Sequence, residues 1–115
     1  MAADKNLWPG SAAVLVLKLL EERDMYGYEM IETLARRSDH TFDLKAGTLY
    51  PILHGLEREG ALTSCERRAD TDRTRKYYHL TEKGKRLLEE KQREWSVYAG
   101  AVNRILRGGV SYGAV

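Results

Sequence analysis

The residues best able to do chemistry are scattered along this sequence. His40, His54 and His79 fall on three separate predicted elements, and Cys65 is the one cysteine. The sequence shows neither a Cys-pair metal motif nor a glycine-rich phosphate loop after a strand. We therefore expect no enzyme, no metal and no cofactor, and a buried inert thiol is the default for Cys65.

Basic side chains are distributed more informatively. Residues 1–44 carry a net charge of −3, whereas residues 45–115 carry +5. A polyanionic partner is therefore expected to touch the second half of the chain. On charge alone, an ordinary solvated surface is an equally good interpretation.

Residues 45–60, KAGTLYPILHGLEREG, predict an amphipathic helix. Leu49, Ile52, Leu53 and Leu56 follow the spacing of one buried stripe. Pro51 interrupts the pattern and leaves the start open. A late start places Pro51 near the first turn, where it costs little; a start at Lys45 costs a hydrogen bond and bends the helix.

The other elements follow from apolar periodicity and turn residues. Helices are predicted at about 11–23 and 27–38, with residues 24–27 as a turn and a short edge strand at Phe42 and Leu44. Gly60 is a plausible helix-ending glycine. Residues 61–80 read as a β-hairpin, with Tyr78 and Leu80 on one face and Tyr77 and His79 on the other. Thr81 can cap a long helix over 81–107.

This order predicts a mainly α fold with a small β-hairpin, a winged helix-turn-helix followed by a long C-terminal dimerisation helix. Residues 1–80 would be the DNA-binding domain, 81–107 the dimerisation helix and 108–115 a disordered tail. The third helix would then enter the major groove of double-stranded DNA by its N-terminal end. The small residues Ala46 and Gly47 would let the backbone come close to DNA, and free N–H groups there suit a phosphate.

Composition supports one globular domain in a reducing compartment. The chain has 115 residues, 43% hydrophobic and 31% charged, and its longest apolar run, 12–17, is far too short for a membrane span. No signal peptide is readable, and a single cysteine fits the cytoplasm. We expect a cytoplasmic protein without a membrane partner.

Four motifs in order resemble the PadR family of bacterial transcriptional regulators. They are residues 25–29 (MYGYE), 47–51 (GTLYP), 56–60 (LEREG) and 75–84 (RKYYHLTEKG). The likeness extends over about 7–106, and the single helix after the hairpin is similar to the compact branch of the family. It implies a homodimeric repressor of a pseudo-palindromic operator, often released by a small planar or hydrophobic effector.

Three features depart from that family pattern. The hairpin tip, residues 69–73, has two acids, Asp70 and Asp72, and no glycine where the family is commonly glycine-rich and basic. We expect those acids to point away from DNA or to pair with Arg67, Arg68 or Arg73. Gly55 stands where the family has a larger, often basic residue, and it weakens the helix by about 1 kcal/mol relative to alanine. The variable entrance, Lys45-Ala46, does not indicate which sequence is read.

Candidate DNA contacts come from three elements. Thr48 is expected to meet a base edge or a phosphate, with an N-cap role as its alternative, and Lys45 a phosphate. Tyr50 either lends its hydroxyl to the DNA backbone while its ring packs, or only packs. His54 either faces the groove or is a surface histidine with no partner. Tyr28 resembles a family position near the DNA backbone. The predicted DNA-binding set is Tyr28, Lys45, Gly47, Thr48, Tyr50, His54 and, on the hairpin, the phosphate-neutralising Arg73, Arg75 and Lys76.

The long helix carries a coiled-coil-like seam. Leu88, Trp95 and Val102 lie seven apart and interleave with Tyr98 and Ile105. A monomer would pack this seam onto the first helix; a homodimer also covers the surplus apolar face of that helix, including Leu15. Related regulators imply an effector pocket, for which Trp8, Trp95 and Tyr98 are candidates unless they simply fill the interface.

Two other functions remain open: a ligand-binding or sequestering protein that uses the dimer pocket, and a winged helix that serves as a protein-interaction module with little DNA binding.

Overall fold

The computed structural model describes residues 11–68 and 73–112, with side chains described over 12–68 and 73–108. The part described is mainly helical with one small antiparallel sheet, as predicted. The elements in chain order are α1 (Ser11–Glu22), β1 (Met25–Tyr26), α2 (Gly27–Arg37), α3 (Ala46–Arg58), β2 (Leu62–Arg68), β3 (Thr74–Leu80) and α4 (Glu82–Tyr112).

One hydrophobic core joins α1, α2, α3, the sheet and the start of α4. Val16 and Leu17 of α1 are fully buried, as are Leu49 and Leu53 of α3. Arg37 of α2 donates two hydrogen bonds to the Glu22 carboxylate, at 2.6 and 2.9 Å, and so ties the end of α2 to α1. The shared core, more than this exposed ion pair, therefore holds the helices together.

The sheet has a third strand where a turn was predicted. Met25 and Tyr26 pair with Tyr78 and Tyr77 of β3, which lies between β1 and β2. Residues 42–45, where an edge strand was expected, form no strand. Two residues are too few to show a period-two pattern, and Met25 is instead fixed by its full burial against the core. The predicted facing of β3 is confirmed, since Tyr78 and Leu80 are buried and His79 is exposed.

Helix α3 begins early. Lys45 occupies the N-cap position, so Thr48 is the third helical residue and its alternative role as N-cap is wrong. The Thr48 and Leu49 amides both donate to the Lys45 carbonyl oxygen at 2.9 Å. Pro51 therefore lies inside the helix and leaves one carbonyl without its usual amide partner. The low-cost placement of Pro51 is excluded.

Glycines fix the junction of α3, β2 and α4. Gly60 ends α3 with φ of +86°, and the Ala61 amide donates to the Leu56 carbonyl oxygen at 2.9 Å, as in a Schellman motif. Thr81 caps α4 as predicted, accepting a bond from the Gly84 amide at 3.0 Å. A Cβ on Gly84 would lie 2.2 Å from the Ala61 carbonyl oxygen, so only glycine allows this close packing.

Helix α4 differs from the prediction at both ends. Leu88 is only 1% exposed and packs in the chain's own core. The prediction that Leu88 contacts a second subunit is therefore wrong. The helix also continues past 107 to Tyr112, so residues 108–112 are helical rather than part of a disordered tail. Gly108 and Gly109 lower helix propensity, yet two glycines do not by themselves end a helix. Residues 113–115 and the hairpin-tip acids Asp70 and Asp72 lie outside the described residues.

Candidate nucleic-acid interface

A cleft of about 450 Å³ opens where the start of α2, helix α3 and strand β3 meet. It contains five of the predicted DNA-binding residues: Tyr28, Tyr50, Arg73, Arg75 and Lys76. Its full lining is Tyr26, Gly27, Tyr28, Tyr50, Arg73, Thr74, Arg75 and Lys76. The cleft thus gathers phenol hydroxyls and cationic groups between the third helix and the hairpin.

Two of the sequence motifs meet inside this cleft. A Cβ built on Gly27 would lie 2.2 Å from the Tyr50 hydroxyl and 2.6 Å from its Cζ. Only a glycine at the first residue of α2 lets the Tyr50 ring lie there. The presence of Gly27 in one motif and Tyr50 in another is therefore explained by a direct contact, and Tyr50 is held at the N-terminal end of α2.

Aromatic rings also position the cations of β3. The Arg75 guanidinium lies 4.3 Å from the centroid of the Tyr26 ring, and Lys76 Nζ lies 5.6 Å from that of Tyr78. Such contacts are worth about 0.5–1 kcal/mol each at exposed sites. Arg75 Nε is buried without a hydrogen-bond partner in the described part of the chain. Arg75 is thus held by stacking, while Arg73 and Lys76 are exposed.

The remaining predicted contacts lie on α3 itself. Lys45 and Gly47 are exposed at its N-terminal end, and Thr48 is half-buried beside them. His54 is exposed one turn beyond Tyr50, with ring centroids 6.3 Å apart. These four residues do not line the cleft; they belong to the adjoining outer surface of the helix.

A carboxylate in the first turn of α2 is paired with a cation. Glu29, in the first turn of α2, accepts a bond from Arg23 and also a 3.4 Å bond from the Tyr26 amide. The Glu29 carboxylate is therefore already paired with Arg23, while Arg73 and Lys76 of the cleft lining are exposed.

A second charged cluster ties the α1–β1 connection to the hairpin. Asp24 Oδ1 lies 2.9 Å from His79 Nδ1, and the other oxygen accepts a bond from Arg67. Burial opposes ionisation of Asp24, but the bonds from His79 and Arg67 outweigh it and lower the pKa of this carboxyl. Arg67 also stacks on Tyr77, 4.7 Å from the ring centroid. These contacts fix the hairpin relative to the helices.

Sequence reasoning missed two residues at this surface. Tyr26, which supports Arg75, fell in a predicted turn, and nothing in the local pattern indicates its role. Arg58 is exposed in the last turn of α3, one turn beyond His54. The same i, i+4 spacing that relates Tyr50 to His54 could have found it.

Cys65 does not have the expected environment. It lies on β2 with an exposed side chain, opposite Tyr77, so the prediction of a buried thiol is wrong. Alternation along β2 turns Cys65 to the outer face of the sheet, away from the core. Among residues 11–68 and 73–112, no group of histidines, cysteines and carboxylates could hold a metal ion.

Beyond Lys91, α4 presents a wide apolar surface. Val97, Ile105 and Leu106 are 69–79% exposed, and the Trp95 and Tyr98 rings, also exposed, lie with centroids 5.8 Å apart. Of the other predicted interface residues, Leu15 and Val102 are half-buried. Trp8, a candidate for the effector pocket, lies outside the described residues. We name the surface formed by Trp95, Tyr98, Val102, Ile105 and Leu106 the distal face.

Within the described ranges, no helix has both the length and the apolar character needed to span a bilayer.

Comparison with known proteins identifies the family. The model of the transcriptional regulator PadR-like family matches residues 16–90. The transcriptional regulator Rv3488 of Mycobacterium tuberculosis is 35% identical over 78 residues, which are 68% of this chain and 69% of that protein. A relative named only as uncharacterized protein X, from Lysinibacillus sphaericus, is 30% identical over 94 residues, 82% of this chain and 86% of its own.

Solved structures agree with this assignment. A PadR family transcriptional regulator from Eggerthella lenta is 37% identical, with a TM-score of 0.72 over 84% of this chain and 82% of its own. The protein smu.1704 of Streptococcus mutans is 36% identical, with a TM-score of 0.76 over 89% of this chain and 94% of its own. With its three helices, its hairpin and its long final helix, the chain therefore belongs to the PadR-like family and is a DNA-binding transcription regulator of the winged helix-turn-helix type.

Proposed function

We propose that this chain is a homodimeric repressor that binds a pseudo-palindromic operator and is released by a small hydrophobic ligand. The observation that carries the DNA-binding geometry is the cleft between α3 and β3, which is lined by Tyr28 and Tyr50 together with Arg73, Arg75 and Lys76. In this proposal α3 enters the major groove by its N-terminal end, and the hairpin lies on the flanking backbone.

The position of the cleft suits one stretch of DNA backbone. It lies between the helix that enters the major groove and the hairpin beside it, where the phosphates bordering that groove would pass. Lys76 and Arg73 neutralise phosphate charge, and the phenol hydroxyls donate hydrogen bonds. Such contacts set the orientation of the protein on the duplex without reading sequence.

The homodimer is supported by the distal face. Ile105 is 79% exposed and Leu106 75%, on the same half of α4 as Trp95 and Tyr98. Exposed apolar patches of this kind mark interaction surfaces. A second copy of the chain, related by a two-fold axis, would cover the face and set the spacing of two α3 helices to about one helical turn of DNA.

Release by a ligand is supported by an open groove along α4. The groove has a volume of about 660 Å³ open to solvent and is lined by Glu90, Arg93, Glu94, Val97, Tyr98 and Ala101. Its apolar lining residues, Val97, Tyr98 and Ala101, suit a hydrophobic molecule. A ligand that binds one angle between the two DNA-binding lobes better than another would shift the dimer between them.

Selection from a randomised duplex library at near-physiological salt tests the DNA-binding proposal. We expect enrichment of a palindrome with half-sites about one helical turn apart. Enrichment of no sequence, with retention that vanishes as salt rises, would contradict it.

A variant of strand β3 distinguishes the DNA-binding regulator from the protein-interaction module and the sequestering protein. Changing Arg73, Arg75 and Lys76 together to alanine should weaken operator binding and reduce the salt dependence by about 0.9 in log–log slope for each phosphate that the protein no longer neutralises. An unchanged slope would favour a protein-interaction module. Tight binding of a hydrophobic ligand by wild-type protein that retains no DNA would favour a sequestering protein.

A further inference from the structure

The outer surface of α3 is chemically sparse. Gly47, Pro51, His54 and Arg58 follow one another at spacings of four, three and four, so they form one stripe along the helix. Pro51, His54 and Gly47 are exposed, and Arg58 stands in the last turn, whereas the buried residues of the helix, Leu49, Leu53 and Leu56, lie on the opposite side. We call the four residues the outer stripe.

The first half of the outer stripe offers no hydrogen-bonding side chain. A Cβ on Gly47 would meet nothing within 4 Å among the described residues, so the fold of this chain does not itself require glycine there. Gly55, beside the stripe, is equally open. Pro51 adds an apolar ring and no N–H group. This half can approach the base edges closely, and its apolar surface suits a thymine methyl group.

His54 is the first residue along the stripe whose side chain can donate a hydrogen bond. Its ring is tilted by 42° to that of Tyr50 and stands beside it on the exposed surface, with no place in the core. One ring N–H is present in either neutral tautomer, so the donor does not depend on protonation. The Arg58 side chain follows about 6 Å further along the helix axis. It lies at the C-terminal end of α3, away from the N-terminal end that would enter the major groove.

We infer that His54 is a specificity-determining side chain of this regulator, donating a hydrogen bond to O6 at the major-groove edge of a guanine in each half-site. Adenine shares the N7 acceptor but presents an N6 donor where guanine presents O6, so a donor directed at O6 selects guanine. Pro51 contacts the neighbouring base pair, which is favoured as T·A. Arg58 contacts a phosphate and contributes affinity without discrimination. This inference rests on the proposed operator-binding function.

Parallel library selections with the wild type, His54→Ala and Arg58→Ala test it. We expect the wild-type motif to contain one guanine position per half-site that His54→Ala no longer selects, with discrimination there reduced by about tenfold. Arg58→Ala should enrich the same motif as the wild type while binding it more weakly and with a shallower salt dependence. Thermal unfolding of both variants should match the wild type, because both side chains are exposed.

A base analogue and a second substitution identify the atom contacted. Replacing that guanine by 6-thioguanine, whose sulfur is a weaker acceptor than O6, should weaken wild-type binding and leave His54→Ala unaffected. His54→Asn should shift the preference at the same position towards adenine, whose N6 and N7 pair with an amide. If 6-thioguanine weakens both proteins equally, the hydrogen bond does not come from His54.

The failure of this inference can be told from failure of the proposed function. A wild-type protein that enriches no motif would overturn both. A wild-type motif that His54→Ala enriches with the same preference at every position would overturn the role of His54 alone.

Discussion

The two halves of α4 differ sharply in what surrounds them. Up to Lys91 the helix packs on the body of the protein, and Leu88 is buried in the core that it shares with α1 and the sheet. From Gln92 to Gly108 no described side chain is buried, although this half carries Trp95, Ile105 and Leu106. The same helix thus contributes to the hydrophobic core at its N-terminal end and exposes apolar side chains to solvent at its C-terminal end.

The first half of α4 buries its apolar side chains within this chain, whereas the second half leaves them exposed for contact with another molecule. The DNA-binding body satisfies its apolar groups internally. The distal face is built from the same kinds of apolar side chain as the body's interior, and water is a poor solvent for it. Folding of the lobe and assembly of the proposed dimer should therefore respond to different substitutions.

The largest effect should come from shortening Leu88. Leu88→Ala removes a fully packed side chain and should lower the unfolding free energy by about 2–5 kcal/mol at any protein concentration. Ile105→Ala removes the same kind of group from the distal face, and its effect should appear only at concentrations where the chain associates. Denaturant unfolding at two protein concentrations measures both. If the loss of unfolding free energy depended on protein concentration in the same way for both variants, the two halves of α4 would not differ in this way.

Next in size should be a charge on the distal face. Ile105→Asp should weaken self-association by at least about 2 kcal/mol, roughly thirtyfold in dissociation constant. Analytical ultracentrifugation gives that constant directly. Asn103→Asp adds the same charge to an exposed position elsewhere on α4 and serves as the matched control. Equal weakening by both variants, or none by either, would mean that the distal face does not hold the dimer together.

A smaller effect is expected from Gly27→Ala, which tests whether the body positions the cleft. The new methyl group would displace the Tyr50 ring, costing about 1–3 kcal/mol of stability through overpacking and also weakening operator binding. Tyr50 also packs against the core, so Tyr50→Ala has a stability cost of its own, but adding Gly27→Ala to Tyr50→Ala should cost little more because the ring is gone. Operator binding by Tyr50→Ala equal to that of the wild type would mean that Tyr50 contributes nothing on DNA.

The smallest effect should come from the cluster at the base of the hairpin. Because the pKa of Asp24 is lowered in the folded chain, its ionised form stabilises the fold above the ordinary value near pH 4. That contribution is lost as pH falls through the lowered pKa. Asp24→Asn should therefore cost up to about 1 kcal/mol at pH 6 and less at pH 3.

Denaturant unfolding at the two pH values checks this prediction, with Asp43→Asn, at an exposed position, as the control. A difference between wild type and Asp24→Asn that is the same at both pH values would show that ionisation of Asp24 does not matter.

Strong local signals were correctly read from the sequence. The stripe of Leu49, Leu53 and Leu56 located α3, and Gly60 and Thr81 marked the end of one helix and the start of another. Each rests on neighbours a few residues away. The motifs containing Gly27 and Tyr50 were recognisable as a resemblance, but their physical reason, one ring lying against one glycine, joins two separate helices and is invisible in either motif alone.

Long-range contacts decided what the sequence left open or misread. Strand β1 forms where Met25 is buried beside β3. The thiol of Cys65 is exposed because alternation along β2 turns it outward. Leu88 does not belong to the predicted dimer interface, because it packs in the core that α4 shares with α1. By itself the sequence determined the order of the four helices and the hairpin, the family and the apolar character of the long helix, since periodicity and capping act locally. Only the tertiary structure decided which part of that helix faces the chain's own core and which cations share a cleft with Tyr50. Both depend on the packing of residues that are far apart in the sequence.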